Sequence, residues 1–98
     1  MSNYPHEVDL RKLRKMCRAV PDNINWQPVV DFAMSIYNHD VGRMTQRGKF
    51  VRISTGGWSG NEDIIGALAC RKSMFWMCCW QKSERGGHYV LTVERKNV

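Results

Sequence analysis

The chain has 98 residues, 43% of them hydrophobic, with four Trp, three Tyr and three Phe. That makes one domain with a modest core and excludes a disordered chain. The apolar run at residues 74–80 is far too short to span a membrane, and the first residues lack the apolar core of a signal peptide. A soluble, cytoplasmic protein with no membrane partner is therefore expected, and its formal charge of +6 draws it towards nucleic acid, nucleotides and acidic protein surfaces.

A single domain is expected over residues 1–98, with 1–6 as a loose N-terminal arm. The spacing of Leu10, Leu13, Cys17 and Val20 predicts a helix over 7–19. Glu7 and Asp9 suit the positive end of its dipole. Arg11, Arg14, Lys15 and Arg18 lie along it as either a solvated face or a phosphate-contacting one. Pro21, Asp22 and Asn23 end it. A second helix is expected from residue 25 or 27 to 37, with Asn25 as cap and Pro28 in the first turn. Val29, Val30, Phe32, Ala33, Ile36 and Tyr37 form its apolar face. Residues 43–48 read as a polar, basic connection.

Residues 50–54 alternate as a strand does, Val51 and Ile53 on one face, Phe50, Arg52 and Ser54 on the other. A glycine loop follows, then a short helix to residue 69 or 70 with Ile64, Ile65 and Leu68 buried. Ser59 and Glu62 have the spacing of a capping box. Gly66 weakens this helix unless a close contact needs a bare backbone. Residues 70–73 look like a break. The short aromatic run 74–80 is read as a strand, central in the sheet or buried in an oligomer interface. The turn 83–87 and the alternating run 88–93 complete a hairpin with it. The expected fold is α+β: a small antiparallel sheet of about three strands, helices on one face, in the order α-α-β-α-β-β.

Cys17, Cys70, Cys78 and Cys79 contain no CxxC pair. Adjacent Cys78 and Cys79 would point to opposite faces of a strand. Reduced, packed thiols are expected, with no metal and no cofactor.

The chemistry concentrates in two glycine turns. Gly56, Gly57, Ser59, Gly60 and Asn61 lead into a helix N-terminus, where backbone N–H groups can face an anion. No Lys-Ser or Lys-Thr follows, so this is not a nucleotide-hydrolysing P-loop. Trp58 either packs on the core or stacks on a planar ring. In the second turn Arg85 has a planar fork suited to phosphate, and His88 is the best acid–base candidate. A hydrolase pairing His88 with Glu62, Cys78 or Cys79 would need a constellation that no sequence signature fixes.

The runs 54–62 (STGGWSGNE) and 85–89 (RGGHY), with the aromatic MFW at 74–76, resemble a group of small tailed-bacteriophage proteins. The resemblance covers residues 50–93 and carries no activity with it. It implies a phage or prophage origin and action in the bacterial host cytoplasm. Small phage accessory proteins often inhibit host defence, including by sequestering nucleotide signals, an analogy of context alone.

The sequence thus points to a non-enzymatic accessory protein binding a phosphate-bearing nucleotide, evading host defence by sequestering a signal. Gly56, Gly57, Trp58, Ser59, Gly60, Asn61, Arg85 and His88 would form the site, completed by homo-oligomerisation. The alternative is a basic inhibitor that binds nucleic acid, or a host protein in a nucleoprotein complex, through Arg11, Arg14, Lys15 and Arg18.

Overall fold

The computed structural model describes residues 4–21 and 25–93. Asp22 and Asn23 of the expected helix-ending turn, and residues 1–3 of the arm, lie outside the described residues. The elements are α1 (Glu7–Arg18), α2 (Gln27–Ile36), β1 (Arg43–Arg47), β2 (Phe50–Ser54), α3 (Ser59–Leu68), α4 (Met74–Cys79), β3 (Trp80–Glu84) and β4 (His88–Thr92). The fold is α+β. Its sheet has four antiparallel strands in the order β1-β2-β4-β3, not three, and the chain runs α-α-β-β-α-α-β-β.

α1 forms where apolar spacing predicts it, with Leu10, Leu13 and Cys17 buried, acidic Glu7 and Asp9 in the first turn and Lys15 and Arg18 in the last; Val20, the fourth residue of that spacing, lies beyond the helix and is exposed. Pro28 sits in the first turn of α2, whose buried residues are Val29, Val30 and Ala33. The N-cap residue is Trp26, without a side-chain cap; Asn25 Oδ1 instead accepts from the Gln27 N–H at 3.1 Å. The helices meet the sheet in one core with Val51, Ile53, Leu91, Val93, Ile64, Leu68 and Phe75.

Residues 43–48 are not a loose connection. β1 pairs with β2 through a two-residue turn in which Gly48 has φ +60°, the position that a hairpin of this length favours for glycine. Of the inward residues of β1, only Met44 is apolar and buried. The other, Gln46, forms a reciprocal amide pair with Gln27 of α2, at 2.7 and 2.8 Å. A polar residue on the inner face hides the period of two that sequence reading relies on.

Residues 74–79 are helix, not strand. Lys72 adopts φ +65° after α3, and Ser73 then caps the new helix by accepting from the Trp76 N–H at 3.0 Å. The Ser73 hydroxyl also donates to the Leu68 carbonyl at 2.7 Å, tying the caps of α3 and α4 together. Phe75 and Cys79, one helical turn apart, face the core, whereas Met77 and Cys78 are exposed. A short apolar run fits either element, and the serine before it was the deciding signal. β3 follows directly as an exposed edge strand. Its pairing with β4 shifts register between Trp80 and Lys82, a bulge that blunts the edge.

Candidate functional site

The two glycine turns meet because β2 and β4 are antiparallel neighbours. Ser54 stands opposite His88, and the ladder continues one step further, with Thr55 N–H donating to the Gly87 carbonyl at 3.0 Å. A Cβ on Gly87 would lie 2.2 Å from Thr55 Oγ1, and Gly87 has φ +76°. Only glycine permits both the approach and the conformation. A third segment closes the corner. A Cβ on Gly56 (φ +68°) would lie 2.0 Å from the Val41 carbonyl oxygen, and the Tyr37 hydroxyl donates to the Ser54 carbonyl at 2.7 Å.

Asn61 binds these segments from inside. It is completely buried. Its Oδ1 accepts from the Asn38 N–H at 3.0 Å, and its Nδ2 donates to the Asn38 carbonyl at 3.1 Å and the Thr55 carbonyl at 3.3 Å. Both ends of the amide are engaged, so Asn61 acts as a strut between the α2 exit and the glycine loop.

Trp58 is the N-cap residue of α3, with no side-chain cap, and the helix begins at Ser59. The expected Ser59–Glu62 capping box is therefore not formed. The Ser59 hydroxyl pairs instead with the Tyr4 hydroxyl at 2.9 Å. The Tyr4 ring lies 4.8 Å from the Trp58 ring, tilted by 43°. A Cβ on buried Gly60 would fall 2.2 Å from the indole, so Gly60 makes room for the ring to lie over the helix start. Gly57 N–H donates to Thr55 Oγ1 at 3.3 Å. Arg85 is exposed in the second turn, and His88 Nδ1 is hydrogen-bonded to Ser54 Oγ at 2.8 Å on the outer side of the sheet.

Among the described residues no hydrogen bond joins a thiol to His88, whose Nδ1 is paired with Ser54. Cys79 lies in the core, on the other side of the sheet, where burial pushes its thiol up to about 12. Burial likewise pushes Cys17 up to about 12. Neither is a nucleophile at neutral pH. Among the described residues no group of three or more His, Cys, Asp or Glu could hold a metal ion, and no helix is long and apolar enough to cross a membrane.

The residues expected to contact nucleic acid stand together. Arg11, Arg14, Lys15 and Arg18 line a hollow of about 480 Å³ along α1. Arg18 also borders a second hollow of about 370 Å³, with Arg71 and Lys72 from the turn before α4. Its Nε donates to the Arg71 carbonyl at 3.0 Å, joining the two hollows. Arg14 is paired with Glu7 at 2.6 Å. Sequence reading placed Arg71 and Lys72 only in a break; no spacing rule could connect them with α1.

A separate set of exposed residues gathers on the sheet surface that no helix covers. Thr45, Arg47, Phe50 and Arg52 line an open hollow of about 540 Å³. Half of it was legible as the outer face of residues 50–54; the other half belongs to β1. No known protein family, curated protein or solved structure matches the chain.

Proposed function

We propose that the protein is a non-enzymatic binder of nucleic acid, contacting phosphate through the basic face of α1. One observation carries this reading. Arg18 joins the hollow lined by Arg11, Arg14 and Lys15 to the one lined by Arg71 and Lys72. Such a stripe neutralises successive phosphates and releases counterions, giving affinity with little sequence preference. The test is fluorescence anisotropy with a labelled duplex across a salt series. The expected result is a steep loss of affinity with salt, and a shallower slope in Arg14→Glu/Arg18→Glu. Absence of salt-sensitive binding removes the reading.

A second reading has its own support. The meeting of Thr55 with Gly87 sets the two glycine turns side by side, as a nucleotide-sequestering accessory protein would need. This reading rests chiefly on exposed Arg85, because the Thr55, Gly57 and Trp58 amides and Asn61 are engaged internally and Tyr4 lies against Trp58. A panel of nucleotides and cyclic nucleotides at millimolar concentration should raise Tm if it holds; no shift with any member removes it.

A further inference from the structure

The helices cover one side of the sheet and leave the other open. Strand register arranges the open side in rows. Arg47, Phe50 and Thr92 form one; Thr45, Arg52, Val90 and Lys82 the next; Arg43, Ser54, His88 and Glu84 the third. The Gln81 amide donates to Thr92 Oγ1 at 2.9 Å, extending the first row to β3. Phe50 is 47% exposed, an aromatic ring held out among cations. Lys49 Nζ lies 5.5 Å from its centroid. Glu84 is the only carboxylate in these rows, and its salt bridge to Lys82 at 2.9 Å already offsets it.

We propose that this open face binds single-stranded nucleic acid, with Phe50 stacking on a base and Arg43, Arg47 and Arg52 holding the phosphates. The Phe50 hollow gives a base face a platform, and stacking accepts any base because each has a π-face. Arg43 and Arg47 stand about 13 Å apart along β1. That spread suits a chain of phosphates better than one phosphate. A duplex keeps its base faces stacked inside and has none to offer the ring. A second copy placed here about a two-fold axis would set arginine against arginine, which like-charge repulsion disfavours. The inference stands apart from α1, which lies on the helix side of the molecule.

The test is anisotropy with a labelled oligo(dT) of twelve nucleotides and a duplex of equal length, alongside native mass spectrometry. Phe50→Ala should weaken single-strand binding by roughly tenfold or more, with Phe50→Trp retaining it. Arg47→Glu/Arg52→Glu should weaken it further. Arg14→Glu/Arg18→Glu should affect chiefly the duplex. Melting curves of each variant keep loss of binding separate from loss of fold. Single-strand affinity that survives both Phe50→Ala and Arg47→Glu/Arg52→Glu overturns the proposal. So does a dimer that Arg52→Glu dissociates in a protein that ignores the oligonucleotide. Single-strand binding lost in Phe50→Ala, in a protein with no duplex affinity, keeps this proposal and removes the one for α1.

Discussion

The corner where the glycine turns meet and the open face of the sheet share two strands, β2 and β4, but treat polar groups in opposite ways. At the corner, carbonyls and amides are matched across three segments: Ser54 with Tyr37, Thr55 with Gly87 and Asn61, Asn38 with Asn61. On the open face, Arg43, Arg47 and Arg52 are exposed beside a half-exposed phenylalanine. The first arrangement fixes geometry. The second holds charge available to another molecule. Unusual sequence and an exposed basic surface are thus separate features here, even on neighbouring residues such as Ser54 and Arg52.

The sharpest way to break that contrast is to add a methyl group at the corner. Gly56→Ala combines a left-handed backbone with a Cβ driven into the Val41 carbonyl. The expected loss is about 3 kcal/mol, or roughly 10–20 °C in Tm by thermal melting. Asn61→Ala should cost about 3 kcal/mol as well, because it strands buried partners on Asn38 and Thr55. If either variant melts like the parent, the corner is not the joint described. Gly57→Ala is the control. Its φ of +74° is as strained, but its Cβ would meet nothing within 4 Å, so about 1 kcal/mol is expected.

Smaller effects belong to the open face and to the exposed helix surface. Arg52→Glu should change stability by less than about 0.5 kcal/mol in denaturant melts, as exposed positions do. A large loss would mean that the face is structural after all. Gly66→Ala should stabilise by about 0.5–1 kcal/mol, since a Cβ there meets open space in a helix interior.

Alkaline pH tests the core beneath both regions. Burial raises Cys17 and Cys79 from 9.0 to about 12, and Tyr37 from 10.0 to about 12. The folded chain therefore keeps protons that the unfolded chain releases. Stability is fully present below about pH 9 and falls as pH climbs towards 12. A Cys17→Ala/Cys79→Ala variant should show a shallower fall in Tm over that range. At neutral pH, a thiol reagent should label exposed Cys78 well before either buried thiol.

How much of this was legible in the sequence depended on whether a pattern was local. Leu10, Leu13 and Cys17 announce α1 because burial follows one period along one helix. Val51 and Ile53 likewise announce β2. β1 was hidden because Gln46 faces inward and is satisfied by a distant amide, Gln27. The aromatic run before β3 misled because composition speaks of burial, not of backbone, and the helix signal lay in the single capping residue Ser73. The glycine turns were visible as turns. Their meeting was not, because it depends on β2 lying beside β4. The same holds for Phe50 with Arg47, which one hairpin turn brings opposite each other.

The contact between Thr55 and Gly87 also bears on how the chain reaches its structure. Each hairpin, β1–β2 and β3–β4, closes over a short turn, but joining them requires Ser54 to find His88 across a separation of 34 residues. The entropy of closing that loop is lost before the corner contributes anything. Corner contacts are therefore expected to form after the barrier is crossed. Gly87→Ala should speed unfolding while leaving the refolding rate nearly unchanged, a φ-value near zero in stopped-flow kinetics. On this view the glycine corner acts as a latch on the finished molecule, setting how long the fold lasts more than how fast it is found.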